Sequence, residues 1–502
     1  MGTQQLKSGS RGPWMALIAA LLGWMFDGFE MGLFPLIGQP ALKELLAGRP
    51  AADADQWFSV IIAVFLVGAA TGGVLFGWLG DRIGRVRAMS LSIFTYAVFT
   101  GLCGLATDAR QIAVLRFIAS LGMGGEWALG VALVTELWPD RSRAFLAGLI
   151  GAAANVGFLL VGLISLVLTA LLQQVGDLMR AIGLSEESVE HLLRNDGWRF
   201  MMILGALPAL LIFLIRLCVP ESARWEAERE RGATSHWSNR DLLGVLLGAL
   251  GAGLVIILWS PLVERMAVRV PGTLLGLAVA LGGFLYPVLR YLKRAEAAGD
   301  VEAGGVGRNL GRLLLGAGLA GVALLGTWGA LQWAPRWAIQ LTAETGPAHA
   351  KEYTQIASAA GAIVGTIAAA LVGGWLGRRI TYTLLCLGSL GSAVLLYQGN
   401  TSYGGAFLAS VFLAGGITAA FYGWFPLYLP ELFRTSIRAT SQGFAYNFGR
   451  VIAAIGTLQT ATLMSFFDGS FPMAGTVLSA IYLVGIVLVW FGPETRGRPL
   501  PD

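Results

Sequence analysis

Long apolar segments follow one another along the whole chain, each near the length that an α-helix needs to cross a lipid bilayer. A spanning helix needs roughly 20 mostly apolar residues, and fourteen segments meet this requirement. They lie near residues 14–37, 57–79, 88–107, 111–138, 144–172, 198–219, 241–262, 271–292, 311–335, 353–376, 381–398, 405–429, 437–466 and 472–491. Only 13% of the 502 residues are charged, whereas a soluble chain carries roughly 25%. The sequence therefore predicts an all-α integral membrane protein with 14 spans.

Lys and Arg residues between these segments predict how the chain crosses the membrane. Cytoplasmic loops carry an excess of Lys and Arg, and most of these residues fall on one side when the N-terminus is placed in the cytoplasm. The first apolar run lacks a small-residue cleavage site, which favours a spanning helix over a signal peptide. We expect a multi-pass protein of the plasma or inner membrane with both termini in the cytoplasm.

Two sequence motifs occur twice, at nearly the same separation. GWLGDRIGR (Gly77–Arg85) recurs as GWLGRRITY (Gly374–Tyr382), and TELWPDRSRA (Thr135–Ala144) recurs as PELFRTSIRA (Pro430–Ala439). Duplicated helical halves are a common transporter design, in which the substrate site lies where the halves meet. The repeat therefore indicates two related halves of the chain.

The positions of these repeats predict three parts of the chain. A six-helix half covers 1–219, a linker with two additional membrane helices covers 220–310, and a second six-helix half covers 311–502. In the alignment of the first motif, Arg378 takes the place of Asp81. We therefore expect an ion-pair network built on these loops to be weaker in the second half.

The first motif contains the pattern GxxxDRxGRxR, which is formed by Gly77, Asp81, Arg82, Gly84, Arg85 and Arg87. This pattern resembles the loop signature between the second and third helices of the major facilitator superfamily. PESARW (Pro220–Trp225) and PETRG (Pro493–Gly497) resemble motifs of its sugar-porter-like branch. The resemblance covers nearly the whole chain except about 230–310. It implies the major facilitator fold, with two extra helices between its two six-helix halves, and transport by alternating access.

Charged residues of the repeated loops are expected to form a gating network on the inner face. Asp81 can face the N-terminal dipole of a neighbouring helix or an arginine there, and such a dipole contact contributes ~0.3–1 kcal/mol. The residues assigned to this network are Gly77, Asp81, Arg82, Gly84, Arg85, Glu136, Arg143, Glu431 and Arg438. The alternative is that these charges are solvated and only set the topology.

Two carboxylates, Asp27 and Glu30, interrupt the first apolar segment in the stretch GWMFDGFEMGLF. A charge at the bilayer centre costs ~2.5–3.5 kcal/mol, so an intramembrane acid is a functional candidate by default. The two residues are three positions apart and share one helix face. Arg116 in the fourth segment can pair with either of them, and two acids with one arginine can bind and release a proton. The alternative is a permanent Arg116–Glu30 ion pair that ties two helices together.

A third intramembrane acid, Glu126, lies in the stretch RFIASLGMGGEWALG of the fourth segment. Together with FDGFE in the first segment, this stretch resembles the bacterial metabolite–proton symporters and the sialate or monocarboxylate symporters. Those families carry small organic acids with protons. The proton-coupling candidates are therefore Asp27, Glu30 and Glu126, and Glu126 is either a second proton site or the partner of an arginine.

Other polar residues inside apolar segments are candidates for substrate binding. Arg450 lies near the middle of its predicted helix, and a guanidinium in a cavity of low dielectric constant binds a carboxylate well. The alternative is that Arg450 pairs with a buried acid or with carbonyls at a helix end. The substrate-binding candidates are Arg116, Asn155, Gln332, Tyr446, Asn447 and Arg450.

These features predict a secondary active transporter that moves a small organic acid, monocarboxylate- or sialate-like, together with protons. The alternatives are a sugar or polyol transporter of the sugar-porter type, an aromatic-acid symporter, and a non-transporting membrane receptor on the same fold. We expect a monomer whose partners are the bilayer, protons and a small anionic substrate, with no nucleic-acid partner.

Catalytic and metal-binding patterns are absent from the sequence. It contains no nucleotide-binding loop, nucleophile elbow or HExxH motif, so we expect neither an enzyme nor a cofactor. Cys103, Cys218 and Cys386 lie far apart in apolar segments, without metal-ligand or disulfide spacing. We expect no metal site, and we expect the cysteines to be small core residues.

Overall fold

The computed structural model describes residues 11–138, 142–211, 215, 219–259, 263, 265–299, 305–342, 347 and 349–501. Within these ranges the chain is predominantly helical, and no residue lies in a β-strand. The prediction of an all-α protein is confirmed. Cys103 and Cys386 are buried, whereas Cys218 lies outside the described residues.

The described α-helices are numbered here in chain order. They are α1 (Arg11–Leu45), α2 (Ala51–Ile83), α3 (Arg85–Cys103), α4 (Ala109–Leu137), α5 (Arg143–Ala170), α6 (Leu172–Ala181), α7 (Glu186–Leu204), α8 (Ala223–Glu230), α9 (Leu242–Trp259), α10 (Met266–Ala297), α11 (Gly305–Gly329), α12 (Ala334–Leu341), α13 (Ala350–Leu376), α14 (Arg378–Gln398), α15 (Gly405–Ala419), α16 (Phe421–Tyr428), α17 (Arg438–Phe466), α18 (Phe471–Ser479) and α19 (Ile481–Leu488).

Twelve helical stretches of the described chain are long and apolar enough to cross a membrane. They include every predicted segment except 198–219 and 437–466. The first of these two contains the end of α7 and residues outside the described ranges. The second is the continuous helix α17 of 29 residues, but Arg438 and Arg450 make it less apolar than the others. The prediction of 14 spans is therefore not confirmed.

Glycine allows the central helices to approach closely. Helix α1 packs closely on α5. A Cβ at Gly28 would overlap the backbone of Ala154, so only glycine fits at this contact. Helix α2 packs on α17 in the same way, since a Cβ at Gly443 would overlap the backbone of Gly73. Small residues favour helix association in membranes by letting backbones come together. This packing accounts for much of the high glycine content, 69 of 502 residues.

Helices α9 and α10, which fall within 220–310, lie side by side against the bundle and are called the hairpin here. They pack closely on each other, because a Cβ at Gly283 would overlap the backbone of Gly248. The hairpin contacts α2 on one side and α11 and α17 on the other. At one end, Arg294 Nη2 lies 2.6 Å from Asp241 Oδ2 and ties α10 to the segment before α9. The hairpin therefore covers the line along which α2 meets α17.

The two ends of the bundle differ, and each is given a name here. The network face is the end that carries Asp81 at the end of α2 and Glu136 at the end of α4. The opposite face is the end that carries the connection between α1 and α2 and the end of α12. These names make no assumption about which face is cytoplasmic.

Candidate functional site

A cavity with about 1050 Å³ of empty space lies in the middle of the bundle. Its wall is formed by helices α1, α4, α5, α11, α12, α13, α15, α16 and α17. The polar residues that line it are Asp27, Asn155, Thr327, Gln332, Gln355, Ser358, Tyr422, Tyr446 and Arg450. A mostly apolar cavity with a few polar groups is the usual form of a small-molecule site.

Asp27 on α1 and Glu126 on α4 bring two carboxyl groups together beside this cavity. Asp27 is 5% exposed and Glu126 is 1% exposed, and the two carboxyl groups lie close enough to interact electrostatically, although neither oxygen of Glu126 has a hydrogen-bond partner among the described residues. A Cβ at position 23 would overlap the Glu126 carboxyl, so Gly23 makes room for it. The buried Tyr96 hydroxyl on α3 lies near Glu126, and it also has no hydrogen-bond partner among the described residues. Two adjacent buried carboxyls resist being ionised together, so this pair can hold a proton.

Arg450 on α17 supplies a positive charge to the same cavity. It is 3% exposed, and its charge acts on Asp27. Its Nη1 donates to Asn447 Oδ1 at 2.6 Å, and its guanidinium lies 5.4 Å from the ring centre of Tyr446. Its Nε has no hydrogen-bond partner among the described residues. Arg450 therefore places a buried cation, with one donor unpaired among the described residues, at the wall of the cavity.

An aromatic pair forms one wall of the cavity. The rings of Trp127 and Tyr446 are stacked, with their centres 3.8 Å apart and their planes at 10°. Tyr446 comes from α17 and Trp127 from α4, next to Glu126. A planar or apolar ligand can pack against such a wall while its charged group reaches Arg450.

Glu30 and Arg116 form an ion pair apart from the cavity. Arg116 Nη1 lies 2.5 Å from Glu30 Oε1, and the Thr100 hydroxyl donates to the same oxygen at 3.0 Å. The Arg116 guanidinium lies 5.4 Å and 4.4 Å from the ring centres of Phe34 and Phe65. Neither Glu30 nor Arg116 is among the described residues that line the cavity. This geometry favours the alternative in which the pair joins α1 to α4.

The remaining predicted binding residues divide into lining and supporting positions. Gln332 and Asn155 line the cavity, and the Asn155 amide donates to the Gly151 carbonyl at 2.8 Å. Asn447 is not among the described lining residues. Its Nδ2 donates to the Gly124 carbonyl at 3.0 Å, so Asn447 joins α17 to α4 and orients Arg450.

Sequence reasoning missed several residues of this site. Trp127 and Gln355 line the cavity, and Tyr96 is buried near Glu126. Trp127 could have been found from its place beside Glu126, and Gln355 from its polarity inside an apolar segment. Nothing in the sequence points to Tyr96, because its proximity to Glu126 results from packing between α3 and α4.

Asp81 is a central residue of the network face. Its carboxylate accepts the backbone N–H groups of Ala439 and Thr440 at 3.2 and 2.8 Å, and the Thr440 hydroxyl at 2.5 Å. It also lies 2.6 Å from Arg85 Nη1. Asp81 therefore meets both partners expected for it, the N-terminus of a helix and an arginine.

Glu136 and Glu431 occupy repeat-related positions and each binds two arginines. Glu136 lies 3.2 Å from Arg85 and 3.0 Å from Arg438. Glu431 lies 2.9 Å from Arg143 and 2.6 Å from Arg378. The Ser222 hydroxyl also donates to Glu136, and the Thr495 hydroxyl donates to Glu431 at 2.6 Å. Each glutamate thus has one arginine from its own repeat and one from the other.

The structure corrects the alignment of the first motif. Gly84 and Gly377 have φ of 113° and 96° and precede the first residues of α3 and α14. Those residues, Arg85 and Arg378, each donate Nη1 at 2.7 Å to the carbonyl five positions earlier. Arg378 is therefore equivalent to Arg85, and its alignment with Asp81 was wrong by four residues. The error arose because the similar letters GWLG were matched instead of the glycine that turns the chain.

The corrected alignment places Gly374 at the position equivalent to Asp81. A glycine supplies no carboxylate to the start of α5, whereas Asp81 caps the first turn of α17. The second half of the network therefore has no carboxylate at the position equivalent to Asp81.

Two other residues of the loop motif lie beside these ion pairs. A Cβ at Gly77 would lie 2.7 Å from the Ala439 carbonyl, so this glycine lets α2 touch the start of α17. Arg82 lies 5.0 Å from the ring centre of Trp78 and hydrogen-bonds to the Asn239 side chain next to α9. Arg82 therefore links the end of α2 to the inserted hairpin.

The acids of PESARW and PETRG cap two equivalent helices. Glu221 accepts the backbone N–H of Arg85 at 2.9 Å, and Glu494 accepts that of Arg378 at 2.9 Å. Burial raises the pKa of Glu221 above its usual range. Burial also acts to raise the pKa of Glu494, but backbone N–H donors, led by that of Arg378, outweigh it and lower the pKa. The pKa values of the two capping carboxyl groups are therefore shifted in opposite directions.

Glu494→Gln is expected to lower the melting temperature of the purified protein by a few degrees at neutral pH. The folded pKa of Glu494 is depressed, so its stabilising effect is present above the unfolded pKa and is lost as pH falls through the folded value. The difference from wild type should narrow below about pH 4, near the usual glutamate pKa. Thermal unfolding of both proteins across pH measures this. Glu221→Gln is the matched control, since its raised pKa gives a smaller loss at neutral pH, and equal pH profiles would contradict the assignment.

Known proteins resemble this chain over nearly its full length. Residues 15–247 match a family model described as "Sugar (and other) transporter". A metabolite transport protein of Haemophilus influenzae is 26% identical over 97% of this chain and 98% of its own length. The cis,cis-muconate transport protein of Acinetobacter baylyi is 26% identical over 99% and 98% of the two chains.

A solved structure shows the same fold. It is the major facilitator superfamily proton:xylose symporter XylE bound to 6-bromo-6-deoxy-D-glucose. The two structures superpose with a TM-score of 0.69 at 19% identity, over 97% of each chain. The prediction of a major facilitator fold is confirmed.

The family, the relatives and the fold agree with the loop signature. The family model, these relatives and this structural neighbour are named for transport, which agrees with the expectation that the chain is not an enzyme. The chain therefore has the major facilitator fold and is similar over nearly its full length to transport proteins.

Proposed function

We propose that this transporter carries a small organic acid together with protons. The observation that supports the proposal is that Asp27 and Arg450 line one cavity, with Glu126 buried beside Asp27. Arg450 is the binding group for a carboxylate, and the carboxyl pair is the proton site. Glu30 and Arg116 have the supporting role of joining α1 to α4.

The charges at the cavity explain why substrate binding would be coupled to proton binding. With one proton shared by Asp27 and Glu126, the pair carries one negative charge, which Arg450 balances. A bound monocarboxylate adds a second negative charge, and an uncompensated charge near the bilayer centre costs ~2.5–3.5 kcal/mol. A second proton on the pair removes this cost, so substrate and proton bind together.

Alternating access would follow from breaking the network face. We propose that 1–219 and 311–502 are the two moving halves, that 220–310 is the inserted linker, and that the protein acts as a monomer. We assign the network face to the cytoplasm, with both termini on that side. The pairs Arg143–Glu431 and Arg438–Glu136 then hold this face closed and separate when the cavity opens inward.

The aromatic wall and a named relative support the substrate class. Trp127 and Tyr446 offer a flat apolar surface next to Arg450, which suits an unsaturated or aromatic carboxylate. The relative from Acinetobacter baylyi is named for cis,cis-muconate, an unsaturated organic acid. A sugar or polyol is the second candidate, because the amides of Gln332 and Gln355 line the cavity and can bind hydroxyl groups.

Uptake into proteoliposomes tests the proposal. The purified protein is reconstituted, and cis,cis-muconate, benzoate, lactate, a sialate and xylose are offered under an inward proton gradient. We expect at least one carboxylate to accumulate above its outside concentration, and accumulation to stop when a protonophore removes the gradient. Accumulation of xylose alone would support the alternative of a sugar or polyol transporter. Absence of flux for the whole panel would contradict the proposal and favour a receptor.

A further inference from the structure

We propose that Asn447 is a positioning residue that ties the affinity of Arg450 for its ligand to closure of the network face. This role rests on the proposed function in taking Arg450 as the carboxylate-binding group and the two halves as the moving parts. Asn447 lies one turn before Arg450 on α17, is completely buried, and is not among the described residues that line the central cavity. It can therefore act on a ligand only through another residue.

The hydrogen bonds of the Asn447 amide fix its orientation. Its Oδ1 accepts from Arg450 Nη1 at 2.6 Å. Its Nδ2 donates to the carbonyl oxygens of Gly124 on α4 and Gly443 on α17, each at 3.0 Å. An arginine side chain only donates and a carbonyl only accepts, so the opposite orientation of the amide would lose all three bonds. The position of Arg450 Nη1 is therefore set from both helices.

One of these hydrogen bonds crosses between the two proposed halves. Helices α2 and α4 belong to the first half, and α17 belongs to the second. Helix α4 is packed closely on α2 at this level, and a Cβ at Gly124 would overlap the Ala69 carbonyl. A Cβ at Gly73 on α2 would likewise overlap the Asn447 side chain. The amide thus lies in a close contact of three helices, two of which belong to the other half.

The same three helices form ion pairs at the network face. Arg438 at the start of α17 lies 3.0 Å from Glu136 of α4, and Asp81 of α2 accepts N–H groups from the first turn of α17. Asn447 follows Arg438 by nine residues, which is about 13 Å along a helix. It therefore lies between the network and the cavity, on the helix contact that separates when the network face opens.

Opening of this face would withdraw the Gly124 carbonyl from Asn447. The amide would keep only Gly443, on its own helix, as an acceptor, and α4 would no longer fix its plane. Arg450 would then lose a rigid partner, and a less ordered guanidinium loses more conformational entropy when it binds a carboxylate. The ligand is therefore held tightly while the network face is closed and is released when the face opens.

Thiol labelling at the network face tests the tie between the halves without any ligand. Ala439 is completely buried at the start of α17, beside Gly80 of α2, so a cysteine there should react when the face opens. Labelling of Ala439→Cys by N-ethylmaleimide is measured with and without Asn447→Ala, after subtracting labelling of the native cysteines. We expect Asn447→Ala to accelerate labelling severalfold, as Asp81→Asn should. An unchanged rate would overturn the proposal.

Two further variants separate the cross-helix bond from a general effect of substitution. Asn309→Ala is the matched control, because the Asn309 amide donates to the carbonyl four residues earlier in its own helix, at 2.9 Å, and to no other helix among the described residues. It should leave the labelling rate unchanged, and an acceleration as large as that of Asn447→Ala would contradict the proposal. Asn447→Asp keeps the size of the side chain but loses its N–H donors, so it should accelerate labelling as Asn447→Ala does. Thermal unfolding verifies that each variant is folded.

A double-mutant cycle tests the effect on affinity. Binding of cis,cis-muconate and benzoate is measured at fixed pH in the wild type, Asn447→Ala, Asp81→Asn and the combination. We expect Asn447→Ala to weaken binding severalfold in the wild-type background, and much less with Asp81→Asn, where the face is already open. Because coupling between sites is reciprocal, the bound acid should slow labelling of Ala439→Cys, and slow it less when Asn447→Ala is present.

Failure of the Asn447 role can be told apart from failure of the proposed function. Equal weakening by Asn447→Ala in both backgrounds, or no weakening in either, would contradict the link between affinity and closure. If neither acid binds to the wild-type protein while Asn447→Ala accelerates labelling, the organic-acid cargo is contradicted and Asn447 stands as a tie between the halves.

Discussion

Asp27→Asn combined with Glu126→Gln is expected to convert the coupled transporter into one that binds its organic acid without regard to pH. Under the proposed coupling one proton is taken up with each monocarboxylate, so linkage makes the binding constant change about tenfold per pH unit between the two titration steps of the carboxyl pair. The double variant has no carboxyl at the cavity to titrate. Its binding should show no pH slope, and a proton gradient should no longer drive accumulation.

Counterflow distinguishes this result from a folding defect. Exchange of labelled for unlabelled substrate needs the two conformations but not proton release, so the double variant should still exchange. Its two amides can hydrogen-bond to each other in the space of the carboxyl pair. Each single variant keeps one titratable acid and should keep part of the slope. Accumulation of substrate against its gradient by the double variant would contradict the assignment of Asp27 and Glu126 as the proton site. The same conclusion would follow if the double variant remained fully coupled to protons and lost that coupling only when Glu30→Gln was added.

Arg450→Gln is expected to weaken binding of the organic acid by roughly ten- to 150-fold, since a hydrogen bond to a charged group contributes ~1.5–3 kcal/mol. Arg450 lines the cavity, and in the proposed mechanism it is the group that receives the substrate carboxylate. Arg450→Lys keeps the charge but loses the planar pair of donors, so an intermediate loss is expected. Equilibrium binding at fixed pH measures both variants.

Arg180→Gln provides the matched control for loss of an arginine. Arg180 forms exposed ion pairs with Asp177 and Glu186, and exposed pairs contribute little to stability. Its replacement should leave binding unchanged. Unchanged affinity in Arg450→Gln, in a protein with normal thermal stability, would show that the carboxylate binds elsewhere in the molecule.

Much of the architecture could be predicted from the sequence because apolar length is a local property. A helix of about 20 apolar residues spans the bilayer whatever its neighbours are, since lipid requires every backbone group to be satisfied within the helix. The same reasoning singled out Asp27, Glu126 and Arg450, because a charge in such a segment is costly wherever it lies. The loop signature added the resemblance to the major facilitator superfamily.

Only the tertiary structure decided which of these charges belong together. The sequence joined Asp27 to Glu30 as neighbours on one helix, but packing placed Glu30 against Arg116 and Asp27 against Glu126. The tertiary structure also showed that Arg378 is equivalent to Arg85. It placed Arg269 of the α9–α10 hairpin at a second cavity. The type of each charged residue and its depth in the membrane can be read from the sequence. Which charged residues pair depends on how helices distant in sequence cross. Those crossings are set by glycine contacts such as that of Gly28 with Ala154, which no local pattern reveals.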